Sequence, residues 1–226
     1  MKLTNVLVIA ATGIAATQAT SAAIKPLIIG GTEVPAGEKT WMANGTDGEE
    51  IKIISEVKHP KYNEPDDNAA SWDYKIITLA RPSKFKPVQI LLDNPSQPPL
   101  VGKYATIMGW GNTREENGTH VSSSNVLLRV DQEIRTMEQC AAMGMKPLDE
   151  SMVCAGGVEG EDSCNGDSGG PLFMETSKGD AVIGVVSWGN GCARKDQPGV
   201  YARISTVVGW IKQNAPRAKF IPYPDC

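Results

Sequence analysis

The chain has 226 residues, of which 41% are hydrophobic, 21% are charged and 6% are aromatic. This balance excludes a disordered chain and a bundle of membrane helices, and the length favours one or two domains with a sizeable core. The formal net charge of −4 argues against nucleic acid as a partner, because phosphate binding needs a basic face. No spaced set of histidine, cysteine and acidic residues indicates a metal site, and we expect no cofactor.

The first residues follow the pattern of a secretory signal peptide. Lys2 precedes an apolar stretch at residues 6–16 that is too short to cross a bilayer, and small residues follow it. We expect residues 1–22 to be removed on export and residues 23–27 to be a short propeptide. The mature protein is then expected to be secreted and extracellular, with no membrane partner.

Export permits disulfides and glycosylation. Sequons at Asn44 and Asn117 are candidate glycosylation sites. The number of cysteines is odd, so one of them is free or pairs with another molecule. The five cysteines are Cys140, Cys154, Cys164, Cys192 and Cys226.

Short strands interrupted by Gly, Pro, Asn and Asp dominate the rest of the chain. Apolar and charged residues alternate over residues 50–58, which predicts a half-buried strand. The apolar runs at 74–79 and 181–186 predict more deeply buried strands. Residues 63–68 and 94–99 have loop composition, and the second of these loops could link two halves of the chain.

Helix signals are few. Thr136 and Gln139 form a capping-box pattern, and Gly144 can end the short helix that follows. Ser205 or Thr206 can cap a last helix near the end of the chain. Many strands with one terminal helix indicate an all-β barrel or sandwich.

The most specific string in the sequence covers residues 162–171. It resembles the nucleophile loop of the trypsin and chymotrypsin family of serine proteases. Glycines surround Ser168 because a serine nucleophile needs its hydroxyl exposed on a tight turn. The resemblance implies that Ser168 is the nucleophile and that the N–H groups of Gly166 and Ser168 form the oxyanion hole. It also implies that Asp167 pairs with a new α-amino group at Ile28.

Four further segments agree with this family in order and spacing, so the resemblance runs from residue 28 to about residue 214. These segments are residues 28–31, 108–111, 187–189 and 198–201. The resemblance implies an all-β, trypsin-like double β-barrel with a C-terminal helix. A truncated first barrel is expected at residues 28–107 and the second barrel at residues 108–226.

The resemblance also implies two disulfides. One joins Cys164 to Cys192, and the other joins Cys140 to Cys154, although four cysteines by themselves allow three connectivities. Cys226 has no partner in the family pattern.

Asp162 lies where trypsin-like members carry the floor of the pocket for the substrate's first side chain. A carboxylate at the bottom of a narrow slot selects Arg or Lys through charge-assisted hydrogen bonds. Glycines at the walls keep the slot open, and the strand beside it binds the substrate backbone. The implied substrate-binding residues are Asp162, Ser187, Trp188, Gly189 and Gly199.

Asp73 is the candidate orienting acid of the site, because it precedes Ser168 by 95 residues, close to the roughly 93 of the chymotrypsin template. That template places the histidine roughly 45 residues before the aspartate, which falls at Ile28 and leaves no room for one. The two histidines present are His59, in a motif typical of a surface loop in the family, and His120, in a polar loop. Neither is expected to act as the base.

The histidine segment and about 40 residues of the first barrel are therefore missing relative to the family. Without a base, Ser168 is a weak nucleophile. Activation is also doubtful, because Leu27 precedes Ile28, and the nearby Lys25 is followed by Pro26.

Two functions fit these features. The first is a secreted trypsin-like serine endopeptidase homologue with an Arg/Lys pocket, inactive in this chain because the histidine segment is missing. The alternative is a non-catalytic, protease-like binding protein, since residues 30–37 and 44–50 are similar to glucanase inhibitor proteins. The expected partner is a protein or peptide with Arg or Lys at the contact position, or a secreted host enzyme. A structural or metal-binding module has no supporting motif.

Overall fold

The computed structural model describes most of the chain from Ile28 onward. The predicted leader, the sequon residues Asn44 and Asn117, and Cys226 lie outside the described residues. The described residues are 28–35, 38–39, 41–42, 48–62, 70–92, 100–113, 115–116, 119–120 and 123–222.

Strands predominate within these ranges. The strands are β1 (Thr32–Glu33), β2 (Ile53–Lys58), β3 (Lys75–Leu79), β4 (Gln89–Leu92), β5 (Tyr104–Gly109), β6 (Glu115–Glu116), β7 (Thr119–His120), β8 (Leu128–Arg135), β9 (Met152–Gly156), β10 (Pro171–Thr176), β11 (Gly179–Trp188), β12 (Pro198–Arg203) and β13 (Phe220–Pro222). The helices are α1 (Met137–Ala142) and α2 (Val208–Asn214), and a 3₁₀ turn (Ile204–Val207) leads into α2. No helix in these ranges is long and apolar enough to cross a membrane.

Six strands close into a barrel in the order β5, β8, β9, β12, β11 and β10, and β10 pairs with β5 to complete the ring. Closure removes the open edges that a flat sheet would carry. β1 joins at β8, while β4 and β13 extend the sheet beyond β11 through parallel pairings. This mostly β, trypsin-like architecture confirms the predicted fold class, and β5 begins the barrel at Tyr104, upstream of the predicted start at residue 108.

Alternation along the strands builds the barrel core. In β8 every second side chain from Leu128 to Ile134 is buried, as the two-residue period of a strand requires. Fully buried partners come from the other strands, including Ile107, Leu172 and Tyr201. Burial stabilises the fold by roughly 1.5–3 kcal/mol for each large apolar side chain, so the barrel is held by its own core.

The residues before the barrel form a much smaller sheet, in which β2 and β3 pair with each other. β3 is buried as its apolar run predicts. β2 is more exposed than the predicted half-buried strand, since Ile53, Ile54 and Val57 keep 43%, 49% and 38% of their surface exposed. A two-stranded sheet has too few neighbours to cover both faces of its outer strand, which explains the difference.

The start of α1 carries the predicted capping box. The Gln139 N–H donates to Thr136 Oγ1, and the Thr136 N–H donates to Gln139 Oε1. Gly144 follows the helix at a φ of 87°, the left-handed conformation in which helices commonly end.

The predicted cap of the last helix is wrong. Neither Ser205 nor Thr206 caps α2, because the 3₁₀ turn precedes it and Val207 is its first flanking residue. Thr206 Oγ1 instead donates to the carbonyl of Arg203, 2.7 Å away.

A seam of polar contacts joins the β2–β3 sheet to the barrel. Tyr74 Oη lies 2.8 Å from the carbonyl oxygen of Ser151 and 2.6 Å from that of Arg203. The Trp72 N–H donates to Ser151 Oγ at 2.9 Å, and Ser151 Oγ donates to Asp149 Oδ1 at 2.5 Å. These contacts fix the chain on both sides of Asp73.

Candidate functional site

The loop between β9 and β10 presents Ser168 to solvent. Gly166 has a φ of 98°, and a Cβ at that position would lie 3.0 Å from Gly111 Cα, so both its conformation and its packing favour glycine. The Gly169 N–H donates to the carbonyl of Val186 at 2.9 Å, which fastens the loop to β11. The predicted nucleophile therefore lies exposed on a tight turn beside β11.

Asp167 is buried beneath this turn. Its carboxylate accepts hydrogen bonds from the N–H groups of Gly111 at 2.8 Å and Cys164 at 2.9 Å. Burial raises the pKa of Asp167 to about 6, although the two backbone donors act in the opposite direction. Ile28 is fully buried as well. The ion pair between the Ile28 α-amino group and Asp167 stays a prediction.

Asp73 is held next to β11. Ser187 Oγ donates to Asp73 Oδ2 at 2.7 Å. Trp72, the preceding residue, has a φ of 53°, which is unusual for a bulky side chain and is stabilised by its hydrogen bond to Ser151. The structure thus brings together two residues that the sequence assigned to one site although they are 114 positions apart.

Asp162 is buried behind the nucleophile loop. The Ala193 N–H donates to Asp162 Oδ2 at 3.0 Å, and the Asp162 N–H donates to the carbonyl of Ile29 at 3.1 Å. Burial raises the pKa of Asp162 to about 7, against the effect of hydrogen bonds from Ala193 and Ser163. This carboxyl is therefore partly protonated near neutral pH unless a cation binds it.

The two glycines assigned to the pocket walls differ in their surroundings. A Cβ at Gly189 would make one ordinary contact, 3.5 Å from the carbonyl of Gly191. A Cβ at Gly199 would lie 2.7 Å from the hydroxyl of Tyr201, which is fully buried. Gly199 thus makes room for the chain's own tyrosine, a residue that the sequence analysis did not assign to the site. The sequence signal that could have indicated this role is the glycine two positions before the tyrosine.

His59 is buried in an aromatic cluster, not on a surface loop as predicted. Its ring stacks on Trp72 with centroids 5.0 Å apart and meets Trp210 edge-on at the same distance. Its Nδ1 accepts a hydrogen bond from the Lys61 N–H at 3.3 Å. Burial, with a smaller effect of Lys61, lowers the pKa of His59. His59 therefore belongs to the contact between the small sheet and α2. The side chain of His120 lies outside the described residues.

Both disulfides implied by the resemblance are present. Cys140 is bonded to Cys154, and Cys164 is bonded to Cys192. The second disulfide ties the nucleophile loop to the loop that follows β11. No group of three or more histidine, cysteine and acidic side chains in the described part of the chain could hold a metal ion.

Comparison with known proteins defines the family. The model of the trypsin family, described as Trypsin, matches residues 29–211. The chain therefore belongs to the trypsin family. Among solved structures it is similar to neuropsin, a serine protease expressed in the limbic system of mouse brain, with a TM-score of 0.61 and 32% identity. That match covers 74% of this chain and 72% of the neuropsin chain.

Several similar curated proteins are glucanase inhibitors. Glucanase inhibitor protein 1 of Phytophthora infestans is 43% identical over 76% of this chain and 65% of its own length. Glucanase inhibitor protein 3 of the same organism is 40% identical over 76% of this chain and 64% of its own length. The chain thus spans slightly less than two thirds of the length of these two relatives.

Proposed function

We propose that this chain is a secreted, protease-like binding protein that inhibits a glucanase and does not cleave it. The observation that carries the proposal is an exposed nucleophile loop that makes no contact with His59, the one histidine whose side chain the structure describes. Ser168 is exposed and Asp73 is held on Ser187, but His59 is enclosed by Trp72 and Trp210. The names of the similar inhibitor proteins supply the partner class.

The missing base accounts for the lack of cleavage. A serine hydroxyl needs an adjacent base to become a nucleophile near neutral pH. Removal of the histidine from a related triad lowers turnover by about a million-fold. The other parts of the site bind rather than transfer protons, so recognition survives the loss.

We propose that the nucleophile loop and the Asp162 slot form the contact with the partner. An exposed turn beside a buried carboxylate suits a partner loop that inserts Arg or Lys, because a cation would favour the ionised form of Asp162. The loop is anchored by the Cys164–Cys192 disulfide and by the hydrogen bonds to Asp167. Because the loop is already held in place, it loses less conformational entropy when the partner binds.

The same proposal covers the organisation of the chain. A truncated first barrel precedes β5, and the second barrel begins with that strand at Tyr104 rather than at the predicted residue 108. Secretion follows from the leader pattern, and Asn44 and Asn117 are the proposed glycosylation sites.

Inhibition of purified extracellular glucanases tests the proposal. The chain should lower glucanase activity, and Ser168→Ala should do so equally well, because binding does not need the nucleophile. Failure to bind or inhibit any member of a glucanase panel would overturn the inhibitor function. Cleavage of the glucanase by the wild type but not by Ser168→Ala would favour the endopeptidase instead.

The endopeptidase remains the second candidate, because Asp162, Ser168 and the anchored Asp167 are all retained. Calorimetry with benzamidine tests the basic pocket that both candidates share. We expect weak, roughly millimolar binding, equivalent to about 4 kcal/mol, that is lost in Asp162→Ser. Equal binding by both proteins would place the partner contact outside this slot.

A further inference from the structure

His59 lies in a cluster of aromatic rings that joins separate elements of the fold. It directly follows β2, and its ring stacks on Trp72 with centroids 5.0 Å apart. Tyr74, just before β3, meets the imidazole edge-on at 5.8 Å, and Trp210 of α2 does so at 5.0 Å. Only 7% of the surface of His59 is exposed. The imidazole therefore fills the contact between the β2–β3 sheet and α2.

The contacts of this ring fit its neutral form. Nδ1 of His59 accepts a hydrogen bond from the Lys61 N–H at 3.3 Å, so this nitrogen carries no proton. In an imidazolium both nitrogens are donors, and an Nδ1–H would face another N–H group. The proton would also bring a charge into a site that is mostly closed to water, where an unpaired charge is costly.

A cation already lies against this cluster. Lys61 Nζ is 4.3 Å from the centroid of the Trp72 ring, in cation–π contact, and its charge opposes protonation of His59. Burial raises the pKa of Tyr74, so the phenol beside the imidazole stays neutral. Burial and Lys61 together lower the pKa of His59, and no carboxylate among the described residues opposes them.

Charged side chains on the neighbouring elements have partners of their own. These contacts join Lys58 to Tyr62, Asp73 to Ser187, Asp149 to Ser151, Arg203 to Ser205 and Lys212 to Phe220. A proton on His59 would thus add a second cation beside Lys61.

We propose that His59 is an acid-sensitive switch that holds the β2–β3 sheet against α2 at neutral pH and releases it reversibly in acid. Protonation removes the hydrogen bond from the Lys61 N–H and repels the Lys61 side chain, so the charged ring moves into water and the sheet opens. Asp73 lies between Trp72 and Tyr74, which both contact the histidine. Opening therefore also frees this carboxylate from the position in which β11 holds it. The response is independent of the proposed inhibition of a glucanase.

The direction of the response follows from proton linkage. An exposed histidine has a pKa near 6.5, whereas burial lowers the pKa of His59 in the closed cluster. Below about pH 6.5 the open state therefore binds more protons than the closed state, and opening becomes more favourable as the pH falls, by up to about tenfold for each pH unit. The increase ends at the pKa of the closed state.

Two carboxyls in the barrel titrate in the same pH range with the opposite effect. The raised pKa values of Asp162 and Asp167 mean that acid stabilises the folded barrel. Local opening of the β2–β3 sheet, compared with that of β8, is therefore more informative than global unfolding.

Two measurements on the unchanged sequence test the switch. NMR titration of the imidazole C–H signals should give His59 a pKa well below 6.5. Amide hydrogen exchange at about pH 7 and about pH 5.5, expressed as protection relative to an unfolded chain, should show β3 losing protection by up to about tenfold in acid while β8 does not. An ordinary pKa for His59, or equal protection of β3 at both pH values, would overturn the proposal.

Substitution of the histidines separates the switch from general effects of acid. His59→Phe keeps an aromatic ring that cannot be protonated, so the loss of β3 protection in acid should disappear. The chain has two histidines, and His120→Gln is the matched control, in which the loss should be unchanged. An acid response that persists in a folded His59→Phe protein, or that is abolished in His120→Gln, would contradict the proposal.

Lys61→Gln provides a readout that a purely structural role of His59 would not change. Removal of the cation should raise the pKa of His59 toward 6.5 and make the loss of β3 protection in acid smaller. The NMR titration and the exchange measurement on this variant check both effects. A pKa of His59 that is unchanged or lower in Lys61→Gln would contradict the repulsion on which the switch depends.

Discussion

Apolar side chains are buried in the closed barrel but partly exposed in the β2–β3 sheet. In the barrel, residues such as Ile107 and Leu172 are fully buried, and no strand edge is left open around the ring. In the small sheet, Ile53 and Ile54 are equally apolar, but each keeps nearly half of its surface exposed. The comparison shows that an alternating pattern determines a strand but not its burial, which depends on how many neighbours the strand has.

The site lies between these two regions and depends on both. Ser168 and Asp162 lie in the loop between the barrel strands β9 and β10, whereas Asp73 lies just before β3 of the small sheet. The seam around Tyr74 and Ser151 therefore holds the chain on both sides of Asp73 against the barrel. Substitutions in each region should therefore have effects of different size.

Phe173→Ala should have the largest effect, because it opens a cavity in a second buried cluster, which Phe173 shares with Ile76 of β3 and Ile211 of α2. Phe173 is fully buried, and Trp41 packs edge-on against it at 5.2 Å. We expect the free energy of unfolding to fall by about 3–5 kcal/mol. Denaturant unfolding measures this loss, and a loss below about 1 kcal/mol would show that this cluster is not tightly packed around Phe173.

The buried carboxyl of Asp162 should make stability fall as pH rises. Its pKa is about 7 in the folded chain and about 3.9 when unfolded. Between these values the unfolded state binds fewer protons than the folded state, so stability decreases with pH over about pH 4–7, on the order of a few kcal/mol. The free energy of unfolding, plotted against pH over this range, should have a smaller slope in Asp162→Asn. The slope that remains includes the contribution of Asp167. An identical slope in both proteins would contradict the assignment.

Tyr74→Phe should weaken the seam without opening a cavity. The change removes the hydroxyl that contacts the carbonyls of Ser151 and Arg203. We expect a loss of about 1 kcal/mol, with preferential exposure of the small sheet. Amide hydrogen exchange should accelerate, relative to the wild type, more in β3 than in β8. Equal acceleration of both strands would indicate that the two regions unfold as one unit.

Ile54→Thr should have the smallest effect, because this side chain is already half exposed. The free energy of unfolding should change by no more than about 0.5 kcal/mol, while solubility rises as the apolar patch shrinks. Thr keeps β-branching, so strand propensity is preserved. A loss comparable with that of Phe173→Ala would show that another part of the chain covers β2.

Local features of the fold and site were predictable from sequence, and long-range contacts were not. The turn around Ser168, the capping box of Thr136 and the two disulfides follow from motifs whose backbone or bonding requirements are encoded within short segments or a family pattern. The burial of His59 and the contact of Tyr74 with Arg203 depend on elements far apart in the chain, so no local sequence pattern predicts them. The exposure of β2 could not be predicted for the same reason, because it depends on which strands lie beside it.

Hydrolysis of an Arg ester or amide shows whether Ser168 is activated in this chain. We predict that the wild type and Ser168→Ala hydrolyse the substrate at the same rate, as expected for a serine that has no base to activate it. A wild-type rate about 100-fold higher would show instead that the chain contains its own base and is an active hydrolase.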